Sequence, residues 1–460
     1  MKKITRRSFL QLAGATAVAS AAAACSSDST TTTSTSTTTS SAATDSADDA
    51  SADVSGTIIL LGESINVLAI TAAMEKYLET HPNVDFESIS MTDTTELNTT
   101  MTAKIGANDL PDMMCCQVSS TLVEYATNGY LTPITSWGVQ DTIIDGETTL
   151  MEYNGETYAN PMTFTTTGVI VNCDTMDMYG VDYYPAPHCM EDFLAKCQEL
   201  QDAGLASPIV LAGKETSPST AFVFQYVYQN VYGDEPNWYA KVLRGEMFWN
   251  GPEFMSTYDA YEKLIPYLNS DMLGMDSDGA RRDFITNEAA FYIDGNTSLA
   301  TLRNLDETLN MTFYAPPFAE TEDKMSAVTS FDAAVCVSST TESLAACEDF
   351  YKYLFSVEGY MLAAEASTLT PTVAEAAEFI ESDPALANML SELADGMAAS
   401  AMLSREWIDG IKEVMKDGSQ NFLAGMSIQE VCDTIESEHQ RLMAANPEYV
   451  ESFLASYVDV

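Results

Sequence analysis

The stretch "GTIILLG" at residues 56–62 is an unbroken apolar run closed by glycine, the pattern of a strand covered on both faces. Behind it Val67, Ile70, Met74 and Tyr77 recur at three- and four-residue intervals, which predicts a helix that Pro82 stops. "VDFESI" reads as a second strand, Leu97, Met101 and Ile105 as a second helix, and "DMMCC" as another buried strand. That alternation is the grammar of a parallel α/β sheet. It resumes further on: "TGVIVN" is a strand, Phe193, Cys197 and Leu200 mark a helix ending at Gly204, and "PIVLAG", "AAFYIDG" and "AAVCVSS" are strands. Ser339 and Glu342 have the spacing of a capping box opening a helix with Leu344, Cys347, Tyr351 and Leu354 inside. From Thr372 the pattern is almost entirely helical, and no internal repeat appears.

Before this body the pattern is different. Lys2, Lys3, Arg6 and Arg7 precede an apolar, alanine-rich run from Phe9 to Ala24, the order of an export signal, so residues 1–24 are expected to be removed. Thr5-Arg6-Arg7-Ser8-Phe9-Leu10 resembles a twin-arginine signal, and Ala22-Ala23-Ala24-Cys25 resembles the lipobox of bacterial lipoproteins, with alanine where leucine is usual. The resemblance implies a lipid on Cys25 that holds the protein on the outer face of a membrane. After Cys25, residues 26–55 are Ser, Thr, Ala and Asp apart from Val54, a tether that cannot offset its ordering entropy. As a flexible coil of about 30 residues it reaches roughly 30 Å.

Charge narrows the partners. Four of the 20 Lys and Arg precede Cys25 and none of the 68 Asp and Glu does, so the remainder carries −52. Such a surface repels nucleic acid and anionic membranes and favours a neutral or cationic ligand. Eight cysteines follow Cys25 without a Cys-x-x-Cys pair, and His81, His188 and His439 are too few for a zinc-type cluster, so neither metal nor cofactor is expected. Cys115, Cys116 and Cys336 lie in apolar runs and read as small buried hydrophobes; a Cys189–Cys197 disulfide is the alternative use for that pair.

The body resembles the family 1 extracellular solute-binding proteins of bacterial ABC importers, the maltose- and oligosaccharide-binding type. The likeness runs from Gly56 to about Ala445 through "MEKYLETHPNVDFE", "LNTTMTAKIGANDLPDMMCC", "LVEYATNGYLTPI", "NGETYANPMTFTTTGVIVNCDTMDMYGVD" and "FITNEAAFYIDGN". It implies a two-lobed, type II periplasmic-binding-protein-like α/β fold, each lobe a mainly parallel sheet flanked by helices, with a helical C-terminus. Lobe one would hold 56–166 and 330–369, lobe two 167–329 and 370–460. Crossovers would fall near Thr165–Gly168, Val328–Phe331 and Leu369–Thr372. A sugar would sit in the cleft, hinge closure would trap it, and permease subunits would receive it.

A sugar offers apolar C–H faces and a ring of hydroxyls, so its site needs aromatic planes and planar polar groups. The resemblance places Glu63 and Ser64 on one contact loop, and Gln117 and Ser119 on a second, where Cys116 and Ser119 replace the tryptophan and aspartate of maltose-type members. Thr166 stands at a crossover where those relatives carry an acid, and Phe331 at the next. Asp294 and Asn296 lie on a turn followed by Thr297 and Ser298 instead of tryptophan. Phe222 and Gln225 belong to an aromatic-rich helix that is core by default and cleft-lining as the alternative. Trp407, in "SREWIDGI", resembles the family's stacking tryptophan and reads equally as core. Two rival functions remain: a polyamine or other cation receptor of the same fold, and a secreted carbohydrate-active enzyme, for which no nucleophile motif or phosphate loop appears.

Overall fold

The computed structural model describes residues 54–456, except 93, 145–147, 368–369 and 380–382. The export segment, Cys25 and nearly all of the tether lie outside the described residues. The strands are β1 (Gly56–Glu63), β2 (Val84–Met91), β3 (Met113–Gln117), β4 (Glu152–Tyr153), β5 (Glu156–Thr157), β6 (Ala159–Pro161) and β7 (Phe164–Asn172). They continue as β8 (Ile209–Val210), β9 (Phe291–Gly295), β10 (Met311–Tyr314), β11 (Ser326–Phe331), β12 (Ala333–Val337) and β13 (Ala398–Ala401).

Two sheets divide these strands. Lobe one has the order β2-β1-β3-β12-β6, and Ile58, Leu60 and Leu61 of its central β1 are wholly buried, as the apolar run demands. The helix Ser64–Leu78 covers it and packs on the helix Val357–Ser367. Lobe two has the order β13-β11-β7-β9-β8, with β10 also on β7. Gly168 permits that last pairing, because a Cβ there would stand 2.2 Å from the carbonyl oxygen of Tyr314. The C-terminal helices Ile411–Leu423 and Ile428–Ala445 close lobe two against the helices Thr216–Tyr226 and Pro252–Glu262.

The lobes are joined by a two-stranded ribbon in one continuous register. β7 pairs antiparallel with β11 (Phe331 opposite Phe164) and β6 with β12 (Ala334 opposite Pro161). Between them Met162 N donates to the Ala333 carbonyl at 2.7 Å and Asp332 N to the Thr163 carbonyl at 2.9 Å. The third connection lies alongside: Phe164 N donates to the Thr370 carbonyl at 3.1 Å, and the Thr372 hydroxyl to the Pro161 carbonyl at 2.6 Å.

This ribbon changes several expectations. Both sheets are mixed instead of mainly parallel, because the outgoing and returning crossovers run in opposite directions and pair as neighbours. The chain changes sheets at Met162–Thr163 and at Asp332, beside the expected segments and not within them. Residues 370–379, assigned by resemblance to lobe two, pack on lobe one: Val373 and Ala376 join its core, and Ala374 N donates to the Thr142 carbonyl at 2.9 Å. Lobe two resumes at Asp383, which meets Arg303 at 2.7 Å. The Ser339/Glu342 capping box does not form, since the Ser339 hydroxyl donates to the Gly129 carbonyl at 2.7 Å and Ser343 is the N-cap. A capping box does form at Ser427 and Glu430. All eight described cysteines are free thiols, Cys189 and Cys197 included. Among the described residues no helix is long and apolar enough to cross a membrane.

Candidate functional site

A cavity of about 140 Å³ lies against the ribbon, where strand ends of lobe one face lobe two. Its lobe-one wall is Glu63 and Asn66, Thr94, Gln117, Thr163, Asp332 and Ser367; Thr297, opening a lobe-two helix, stands opposite. Glu63 is the last residue of β1 and Gln117 the last of β3. Ligands of α/β sheets collect at these carboxyl ends, where the strands stop and their final side chains are not claimed by the core. Glu63 occupies the N-cap of the following helix without capping it, and its Oε1 accepts a hydrogen bond from the Thr94 hydroxyl at 2.5 Å. The lining is thus carboxylate, carboxamide and hydroxyl together with the apolar Ile65 and Ala333, a mixture suited to the hydroxyls and C–H faces of a sugar.

Strand alternation continues this side of the chain beyond the cavity, where the Thr165 hydroxyl donates to Asn296 Oδ1 at 3.2 Å. Thr163 lines the cavity, and a period of two places Thr165 and Thr167 on that side of the chain before Val169 and Val171 carry the same face into the lobe-two core. The Thr167 hydroxyl is buried without a hydrogen-bond partner. Thr166, the residue singled out by resemblance, faces the other way: its hydroxyl donates to the Val328 carbonyl at 3.1 Å and lies against Met389.

The hinge is held by charge. Arg405 is buried; it donates to the Val118 carbonyl at 3.1 Å and the Asp332 carbonyl at 3.2 Å, and reaches the Asp332 carboxylate at 2.5 Å. Nearby the Ser120 hydroxyl donates to the Trp407 carbonyl at 3.1 Å, and Lys412 Nζ to Gln117 Oε1 at 3.5 Å. Burial first, then the charges of Arg405 and Lys416, push the Lys412 ammonium down to about 8. Segment 403–412 of lobe two is therefore strapped to the loop 117–120 of lobe one.

Of the expected contact residues, the cavity brings together Glu63 and Gln117. Ser64 donates outside it to the Met91 carbonyl at 2.9 Å, and Ser119 is buried as the N-cap of the helix Ser120–Thr127. The Asp294 carboxylate holds its own turn, accepting from Gly295 N and the Ser298 hydroxyl, both at 2.7 Å. Asn296 fastens two crossovers, accepting from Thr166 N at 3.0 Å and donating to the Thr370 hydroxyl at 2.7 Å. Phe331 packs edge-on against Phe164 at 6.1 Å. Phe222 lies in the core with Tyr261 and Phe318; Gln225 is buried with its Oε1 unpartnered.

Trp407 takes the core alternative. Only 1% exposed, it packs on Trp249 at 5.0 Å and Tyr239 at 6.1 Å, and its indole N–H donates to the Tyr232 hydroxyl at 2.7 Å. A ring enclosed in this way has no face for a sugar. Phe224, half-buried and 6.0 Å from Trp407, is the nearby aromatic that keeps some exposure. Asp332, Arg405 and Lys412 were not foreseen; Asp332 follows a polar-apolar alternation that offered no sign of a sheet change, and the two cations meet lobe one only in three dimensions.

Residues 62–361 match the model of a family described as bacterial extracellular solute-binding protein. A curated relative, an uncharacterised ABC transporter extracellular-binding protein of Pyrococcus horikoshii, is 24% identical over 235 residues. That match spans 50% of this chain and 52% of the relative, about half of its length. Among solved structures, a chitin oligosaccharide binding protein superposes with a TM-score of 0.75 at 17% identity, covering 85% of this chain and 99% of that one. A Bacillus licheniformis sugar transporter protein in complex with stachyose gives 0.69 at 15%, covering 84% and 100%. The solute-binding protein RafE in complex with raffinose gives 0.71 at 14%, covering 84% and 100%. At these identities the likeness establishes the two-lobed fold.

Proposed function

Because the chain belongs to the bacterial extracellular solute-binding protein family, we propose that it captures an oligosaccharide outside the cell and delivers it to the permease of an ABC importer. The observation that carries this reading is the cavity at the hinge ribbon, lined by Glu63, Gln117, Thr163 and Asp332 with Thr297 opposite. Hydroxyl and carboxyl groups converge there from both sides of a joint made of a two-stranded ribbon and the third connection beside it, so a ligand bonded to both lobes would hold them closed. The sugars bound by the similar structures, chitin oligosaccharide, stachyose and raffinose, point to the same class. A lipid on Cys25 and the tether would keep the captor near its permease, and Cys25→Ser should release the protein into the medium. Equal membrane retention of both forms would contradict the anchor.

A thermal-shift screen tests the ligand class. An oligosaccharide at 100 times its Kd should add about 2.7 kcal/mol of stability. A shift with spermidine and with no oligosaccharide would replace the sugar reading by the cation receptor.

A further inference from the structure

Lys412 stands behind the cavity-lining Gln117 and makes no ion pair among the described residues, although Glu63 and Asp332 line that cavity. It stands in the first turn of the helix Ile411–Leu423, and its Nζ reaches across to Gln117 Oε1 at 3.5 Å, a long hydrogen bond to a cavity-lining residue. The neighbouring cations are matched, Arg405 by Asp332 at 2.5 Å and Lys416 by Glu413 at 2.8 Å. Among the described residues Lys412 makes no ion pair; Asp409 and Glu413 act on it only from a distance. A half-buried ammonium met by a carboxamide instead of a carboxylate is poorly compensated, in keeping with its lowered pKa. In a chain with 68 Asp and Glu, a cation left this way beside a cavity-lining carboxamide is open to a negative charge brought by a ligand.

We propose that Lys412 is a specificity-determining residue and that the ligand is an acidic oligosaccharide whose uronate carboxylate docks on Lys412 beside Gln117. This rests on the oligosaccharide reading above and names its chemical class. The overall charge of −52 after Cys25 does not oppose it. At physiological ionic strength exposed charges are screened beyond about 8 Å, so the distant acids slow approach while the local groups decide the bound state; of the two carboxylates there, Asp332 is paired with Arg405 and Glu63 accepts from the Thr94 hydroxyl.

The test is calorimetric titration of the wild type, Lys412→Gln and Lys412→Arg with oligomers of galacturonate, glucuronate and mannuronate. Each oligomer is paired with its neutral methyl ester, and raffinose and chitin oligosaccharide serve as further neutral ligands. One uronate oligomer should bind the wild type at least tenfold more tightly than its ester. Lys412→Gln should remove that difference by weakening the acid alone, and Lys412→Arg should keep most of it. Equal affinity for acid and ester in the wild type, or a preference that survives Lys412→Gln, overturns the proposal. Neutral oligosaccharides binding where no uronate does would overturn it while leaving the oligosaccharide reading intact, and binding by none of these ligands would overturn both.

Discussion

Trp407 and Arg405 stand two residues apart and serve regions built in opposite ways. The indole goes inward, to a lobe-two core of Trp238, Trp249, Phe254 and Tyr239, where Trp249 stands edge-on to Trp238 at 4.7 Å and 88° and Trp238 stacks on Phe254. The guanidinium goes to the hinge, where it holds two carbonyls and one carboxylate. The first region is dense and apolar, and its stability comes from burial and close packing. The second is a ribbon bridged by backbone hydrogen bonds and by Arg405. On the proposed function the difference assigns tasks: the aromatic core would keep lobe two rigid, and the joint beside it would move and bind.

The largest test of that division is Trp407→Ala. Emptying a fully buried indole site should cost about 3–5 kcal/mol. Thermal unfolding of the variant should show the loss, whereas a stability close to wild type would mean that the ring is not core. A pH titration tests the same region through His439, which burial pushes down to about 4. The unfolded imidazole takes its proton near pH 6.5 and the folded one only near 4, so stability from this site is lost as pH falls through that window. The loss amounts to about 3 kcal/mol. Denaturant midpoints of wild type and His439→Gln between pH 7 and 4 should diverge accordingly, and parallel curves would contradict it.

At the hinge, Arg405→Ala should cost less, about 2 kcal/mol. It leaves Asp332 without its cation, but that side chain is still 32% exposed and water can replace part of the contact. Ligand-induced compaction, read by small-angle scattering, should change in this variant and not in one of matched stability loss within the core. The smallest effect is expected of Thr167→Val. Removing a buried hydroxyl that has no partner should alter stability by no more than about 0.5 kcal/mol. A large loss would show that the hydroxyl is bonded in solution.

The same contrast explains how much was legible in the chain. Apolar periodicity foretold β1, the helix behind it, β2, β3, β7, β8, β9 and β12, because buried strands and amphipathic helices write their burial into residue type, but it did not mark the short β4, β5 and β6, nor β10 and β11. β13, "AASA", has no branched or aromatic residue to mark it and exists through parallel pairing with β11. Glu63 and Gln117 were recoverable because each ends an evident strand. The face of the first crossover was not: Thr165, Thr166 and Thr167 are chemically identical, and only register decides that the middle one turns away. Trp407 shows the converse limit, since a tryptophan that stacks on ligand and one that packs in a core have the same sequence signature.

The measurement that bears most directly on the hinge cavity as the binding site is calorimetric titration of Glu63→Gln beside the wild type, using whichever oligosaccharide stabilises the protein. Loss of a charge-assisted hydrogen bond to the ligand should weaken binding by about 1.5–3 kcal/mol, with the melting temperature of the free protein unchanged. Wild-type affinity in Glu63→Gln would place the ligand elsewhere.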